Sequence, residues 1–294
     1  QISQQLMFWD DGVQKDMYIS GPAQSNSRWR ITGSAKISPA VSAGFIYEFE
    51  AFRSGSTSKN QSNGPGPGNT VGSSFPVSRD VGDDGGASSA NLREAMAWIE
   101  HSRLGRISIG HGSTAANNAI LVDLSGKGMA ASNGVFLHPA AFRIATASTT
   151  KANGAYSAAT WGNFFQGNGD WLNTRNEHIQ YRTPTVAGFS FGASVGEDNY
   201  WDVEGRYSGE FNGVRIAARL GYSVLSEFNG TAGAFTCTQN CEKQIEQLAG
   251  SLSIRHMPTG LFFTGAAGHR ETSGSTSPFA VASFDSSFFY LSGG

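Results

Sequence analysis

Charged side chains in this chain recur at every second residue of short segments. Arg28 and Arg30 flank Trp29, and Lys36 lies further along the same parity. Arg93, Arg106, Arg182, Arg206, Arg215 and Arg219 stand in comparable settings, and so do the carboxylates Glu48, Glu50, Asp202 and Glu204. Guanidinium and carboxylate groups at a spacing of two do no covalent chemistry by themselves. They can hold fixed charge of both signs on one hydrated surface and act on ions through the field. Any one of these arginines could be a solvated or salt-bridged strand residue, but the whole set on one parity calls for a wet face. Other reactive types are sparse. His101, His111, His138, His178, His256 and His269 show no ligand spacing, although His111 and His178 are candidates for the wet face. Ser253 and Arg255 share a parity, His256 lies on the opposite one, and there is no G-x-S-x-G setting. Asp10-Asp11-Gly12 and Asp83-Asp84-Gly85 could hold Ca²⁺, with a solvated acidic turn as the simpler reading. No other cofactor is expected.

The elements that carry these residues read as strands. In 26–37, Trp29, Ile31, Gly33, Ala35 and Ile37 occupy one parity, and Arg28, Arg30, Thr32, Ser34 and Lys36 the other, hence opposite faces. In 41–53, Val41, Ala43, Phe45, Tyr47, Phe49 and Ala51 face away from Ser42, Glu48 and Glu50. The same alternation predicts strands at 2–9, 105–112, 174–183, 187–195, 200–208, 213–223, 242–257, 260–271 and 282–291. A further strand of mixed character covers 92–102, with Leu92, Met96 and Trp98 on the outer parity. That makes about twelve strands, with no amphipathic helix beyond a turn or two near 115–124. Links at 38–40, 103–104, 184–186, 209–212 and 258–259 are short. Long polar segments follow the first, third, fifth, ninth and eleventh strands, and the short link near 196–199 breaks the alternation.

Composition agrees with a wall that is apolar on one side and wet on the other. Charged residues are 15% of the 294, against about 25% in a typical soluble domain. Glycine numbers 38 and phenylalanine 20, yet mean hydropathy is −0.27. A net charge of −2 gives no support to nucleic-acid binding. No segment approaches the ~18 consecutive apolar residues of a membrane-spanning helix, which leaves the closed β-barrel as the other way to span a bilayer. A soluble sandwich also alternates, but its strands run about five or six residues, whereas these run near ten, the length a tilted strand needs to cross a membrane. Short turns at one rim and long loops at the other fit the same architecture.

Several runs carry a family resemblance. FWDDGVQKD (8–16), SRWRITGSAKI (27–37), SAGFIYEFE (42–50), LGRISIGHGSTA (104–115), VDLSG (122–126), the stretch from YRTPTVAGFSFGASV to ARLGYS (181–223) and HMPTGLFFTGAAGHRE (256–271) together resemble the trimeric general porins of alphaproteobacteria. The ordered set is specific where single pieces are not. The resemblance implies an all-β fold, a transmembrane antiparallel β-barrel of which about twelve strands of an expected sixteen are visible, so that 1–294 reads as one incomplete barrel domain. It implies an outer-membrane location and a water-filled channel for passive diffusion of small hydrophilic solutes and ions. The implied partners are two further copies in a homotrimer, outer-membrane lipid and lipopolysaccharide, with no nucleic acid. A surface adhesin, a structural barrel or a barrel lipid hydrolase are the competing readings.

Within that frame, Arg28, Arg30, Lys36, Arg93, Arg106, Arg182, Arg206, Arg215 and Arg219 would line the pore with Glu48, Glu50, Asp202 and Glu204. The longest connection, 113–173, runs to about sixty residues, too long for an ordinary link. Val135, Phe136, Leu137, Phe142, Ile144, Trp161, Phe164 and Phe165 need burial within it. In the resembling family the loop at this place folds inward, which implies a constriction with loop carboxylates, Asp123 first and Asp170 after it, facing wall cations across a transverse field. Cys237 and Cys241 could ligate a metal, but no second pair completes a site, and in an exported loop they are expected to form a disulfide.

Overall fold

The computed structural model describes residues 1–13, 15–20, 27–51, 90–126, 142–146, 149, 156, 172, 175–197, 199–226, 231–232, 235–236, 243–277 and 280–294. Every described element is a strand. They are β1 (Gln5–Asp10), β2 (Lys15–Ser20), β3 (Arg28–Lys36), β4 (Val41–Ala51), β5 (Ala90–His101), β6 (Gly105–Ser113), β7 (Arg175–Arg182) and β8 (Phe189–Gly196). After them come β9 (Trp201–Phe211), β10 (Val214–Leu225), β11 (Thr231–Ala232), β12 (Phe235–Thr236), β13 (Lys243–His256), β14 (Phe262–Ser277) and β15 (Ala280–Gly293). Eleven strands form one sheet in the order β15-β14-β13-β10-β9-β8-β7-β6-β5-β4-β3, while β1 pairs with β2 and β11 with β12. Among the described residues these strands pair antiparallel, as short links between sequence neighbours require. The chain divides into two compact units, one of residues 1–30, 48–92 and 134–169, the other of 31–47, 93–133 and 170–294.

In the second unit the registers run apolar residues into continuous rows. Phe189 lies opposite Tyr207, Tyr207 opposite Ala218, Ala218 opposite Leu252, and Gly265 carries the row on to Leu291. Most large side chains on this face are exposed: Phe189 is 51%, Phe191 60%, Val195 67% and Leu220 59% accessible. The opposite face runs Ser194, Asp202, Ser223, Gln247 and Arg270 from strand to strand. Here the buried residues are mostly polar, with Asp202 and Ser253 at 0%, Ser223 at 1% and Glu204 at 2%. A water-soluble sheet buries its apolar face; this one is inverted, and an apolar surface of this extent fits lipid surroundings. The pairing β1–β2 in the first unit repeats the pattern, setting exposed Leu6 and Phe8 opposite Ile19 and Met17.

Local sequence explains the turns. β9 and β10 are joined by Asn212 (φ 47°) and Gly213 (φ 74°), the left-handed pair that a tight hairpin turn demands. Ala187, expected to start a strand, instead sits at φ 51° in the turn before β8. The segment near 115–124 forms successive turns, with bonds such as Asn117 N–H to Thr114 C=O, and no helix.

Three further expectations are corrected. β2 was hidden in what read as a polar link, because its six residues offer only Met17 and Ile19 as apolar alternation. The long segment expected after the eleventh strand is mostly strand, since β14 continues to Ser277 and β15 starts at Ala280. The faces of β5 are the reverse of the expectation. Trp98 lies opposite Ser108 and Glu100 opposite Arg106, so Met96 and Trp98 share the polar face. Alternation from Ala95 and Ala97 then carries Arg93 to the face of Ile99, away from Arg106. Likewise His111 lies opposite Ala95 and Glu177 on the parity of Ile107 and Ile109, whereas His178 is buried on the polar face.

Candidate functional site

On the polar face of the second unit, three strands bring three guanidiniums to one carboxylate. Glu204 on β9 has a side chain that is 0% exposed, with Arg182 of β7 at 3.2 Å. Its two oxygens also accept from Nε of Arg206, on its own strand, and Nε of Arg219 on β10. The register makes this geometry: Gly192 lies opposite both Arg182 and Glu204, and Arg206 lies opposite Arg219.

The remaining guanidinium hydrogens bind the segment that follows β6. Arg182 Nη2 and Arg206 Nη2 both donate to the Ala115 carbonyl at 3.3 Å. Arg219 donates to the carbonyls of Asn117 at 2.7 Å and Asn118 at 3.1 Å. Backbone N–H groups of the segment are met in turn. Ala115 donates to Ser194 Oγ at 2.7 Å, and Ala116 donates to Asp202 Oδ2 at 2.9 Å, where the Tyr200 hydroxyl also donates at 2.8 Å. Further on, Val122 and Leu124 donate to Ser251 Oγ and Ser253 Oγ at 3.0 and 2.9 Å. Ser251 Oγ donates back to the Ala119 carbonyl at 2.6 Å, and Arg255 donates to that of Leu124 at 3.0 Å. Non-helical backbone carries one donor and one acceptor per residue, and here the wall's side chains satisfy them.

Small residues let the segment come this close. A Cβ on Gly221 would stand 2.9 Å from the Ala116 Cβ and 3.0 Å from Leu172 Cδ1. Ala116, Ala119, Ile120 and Leu172 then bury against Ala249 and Ala266, with Phe288 and Tyr290 packed at the side. The residues from Thr114 to Ile120 thus form an internal layer on the sheet's polar face.

This arrangement differs from the expected constriction in one respect. Arg182, Arg206 and Arg219 bind the loop's backbone carbonyls and do not face its carboxylates across a gap. Asp123 accepts from the backbone N–H of Ser125 at 2.7 Å and lies 3.5 Å from Thr264 Oγ1. The anchoring residues Ser194, Tyr200, Ser251 and Ser253 were not singled out as a set from sequence. Their signal was there in the serine at every second position of the polar parity. Ser253, the serine weighed for hydrolase chemistry, engages Leu124 and Thr264.

Other predicted residues fall into separate groups. In the first unit Arg28 Nη1 lies 3.3 Å from Glu48 Oε1, and Arg30 Nε donates to Oε2 at 2.6 Å, with Glu48 1% and Glu50 8% exposed. Phe142 of the long connection stacks on Trp9 at 4.1 Å within that unit. The acidic turn is engaged by its own chain, Gly12 N–H donating to Asp10 and Val13 N–H to Asp11, with Lys15 2.7 Å from Asp10. In the second unit Arg106 pairs with Glu100 at 2.5 Å, and Arg215 approaches Glu210 at 4.0 Å. Lys36 ends β3, exposed. Cys237, Cys241, Asp83, Asp84 and Asp170 lie outside the described residues, as do most of the aromatic residues in 135–165.

Comparison with known proteins bears on what such a wall does. No curated protein matches the chain. Among solved structures, the anion-selective porin from Comamonas acidovorans aligns with a TM-score of 0.56 at 15% identity, over 99% of this chain and 70% of that one. Outer-membrane expressed OmpT of Vibrio cholerae aligns with a TM-score of 0.45 at 10% identity, over 97% of this chain and 65% of that one. The first likeness identifies the fold as that of an outer-membrane porin barrel. A family model described as Gram-negative porin matches residues 10–277. With an inverted sheet, charge on its polar face and that match over most of its length, the chain belongs to the Gram-negative porin family.

Proposed function

We propose that this outer-membrane channel, a path for passive diffusion of small hydrophilic solutes and ions, takes its ion preference from two groups of wall charges. One is Arg28 and Arg30 with Glu48; the other is Arg182, Arg206 and Arg219 with Glu204. Lys36, Glu50, Arg106 and Arg215 add to the same face. The observation that carries the reading is the inversion of the sheet, with aliphatic and aromatic side chains exposed on one face and carboxylates buried on the other. A cation on the lipid side costs about 2–4 kcal/mol near mid-bilayer, whereas in a wet lumen it keeps its hydration. The segment 114–126, laid on the polar face, narrows the path.

The sequence runs quoted above favour the alphaproteobacterial general porins within the family, and a homotrimer with them. The exposed Leu6, Phe8, Met17 and Ile19 of β1–β2 supply apolar surface for a second copy or for outer-membrane lipid and lipopolysaccharide. Diffusion needs no catalytic group, and none is assigned. The test is recording in planar bilayers: large, weakly selective, persistent steps are expected, and Arg28→Gln with Arg30→Gln should move the reversal potential toward cation preference. A reversal potential identical to that of the unaltered channel removes the first group from the mechanism.

A further inference from the structure

A cavity of about 630 Å³ opens on the polar face of the second unit, and its lining includes Met96, Trp98, Glu100, Arg106, Gln180 and Arg182. Trp98 is out of keeping with the adjoining strand β6, whose residues opposite this face of β5 are Arg106, Ser108 and Gly110. Its indole is fixed from two sides. A Cβ on Gly44 would stand 2.5 Å from Trp98 Cζ2, so the ring lies directly against the β4 backbone. The Arg106 guanidinium carbon stands 4.2 Å from the ring centroid. Arg106 is held in plane as well, since Nε at 3.0 Å and Nη2 at 2.5 Å both donate to Glu100 Oε2. Neither Arg106 Nη1 nor Glu100 Oε1 has a protein partner among the described residues, and the two side chains are 43% and 39% exposed.

A rigid ion pair with one donor edge and one acceptor edge open is the complement of another ion pair in antiparallel orientation. An isolated anion meets Arg106 but also Glu100, and an isolated cation meets the reverse. A zwitterion whose carboxylate accepts from Nη1 while its ammonium donates to Oε1 satisfies both. Met96 and the edge of Trp98 give the same cavity an apolar wall, to which a flat hydrocarbon group adds contact area. We propose that this cavity is a transient binding site for zwitterionic solutes bearing an aromatic group, with aromatic α-amino acids as the type; the proposal rests on the channel reading above. Two half-exposed charges give weak binding, with dissociation constants on the order of millimolar and residence far shorter than a gating event. Such a site concentrates the solute in the path without trapping it.

The test is block of single-channel current in KCl by L-phenylalanine, glycine, benzoate and benzylamine, applied to the unaltered protein and to Trp98→Ala, Trp98→Phe and Arg106→Gln. The ratio of block constants between solutes is the readout, so a change in open conductance does not obscure it. Heat-modifiable electrophoretic mobility reports whether each variant has folded. L-phenylalanine should block at least about tenfold more strongly than the other three solutes. Trp98→Ala and Arg106→Gln should erase most of that ratio, and Trp98→Phe should keep much of it. Block by benzoate equal to that by L-phenylalanine overturns the zwitterion assignment, and absence of block, or a ratio indifferent to Trp98, overturns the site. Absence of any channel in KCl refutes the channel reading instead.

Discussion

Replacing Glu204 by glutamine keeps the side chain's shape and removes the charge on which Arg182, Arg206 and Arg219 converge. Each guanidinium–carboxylate attraction is about 4 kcal/mol at roughly 4 Å with an effective dielectric constant near 20. Three of them are offset by the cost of taking four charges out of water, several kcal/mol per ion. The difference measured on removing one partner from such a buried network is about 3–5 kcal/mol. The loop shares that loss, because the same guanidiniums hold the carbonyls of Ala115, Asn117 and Asn118. If about 2 kcal/mol of it falls on the loop's attachment, detached states become roughly thirtyfold more populated. Limited proteolysis within 114–126 follows the open population when reclosing is fast, so cleavage should accelerate by a similar factor. Single-channel records should lose their steady level and flicker toward larger conductance. Arg219→Met alone should accelerate cleavage as well, because it removes the donors to the Asn117 and Asn118 carbonyls. A Glu204→Gln channel with unchanged cleavage rate and current noise would show that the arginines hold the loop without their common carboxylate.

Two other perturbations test the wall itself. Gly221→Leu places a side chain where the Ala116 and Leu172 side chains already lie, and should displace the loop and raise conductance while leaving the strands in register; unchanged conductance would mean the loop is not set by this contact. Ile179→Arg puts a cation on the exposed apolar parity and should make folding into lipid vesicles less favourable by about 2–4 kcal/mol if it sits near the bilayer midplane. Folding indifferent to that substitution would remove Ile179 from the lipid face.

Much of this architecture is legible in the residue order because period-two alternation is a local property. Trp29, Ile31, Phe45, Phe191 and Leu220 announce their faces without reference to anything distant, and nearly every strand of the large sheet falls close to its predicted span. Legibility fails where alternation is ambiguous or short. In β5 both parities carry apolar residues, and only pairing with Ser108 and Arg106 on β6 decides that Trp98 turns to the polar side. In β2 six residues are too few to stand out from a polar link.

The sequence alone determined that charges of both signs share one face, that the other face is apolar without being a soluble core, and that one connection is too long to be a simple link. What only the tertiary structure decided is how those charges are used. Arg182, Arg206 and Arg219 come from three strands, β7, β9 and β10, and it is the register between those strands that brings them together on Glu204. No local pattern says that an irregular backbone will lie against them and take its hydrogen bonds from their guanidiniums and from Ser194, Ser251 and Ser253. A strand's periodicity fixes which way a side chain points; which partner it finds there depends on register between strands and on the buried backbone's need for hydrogen bonds.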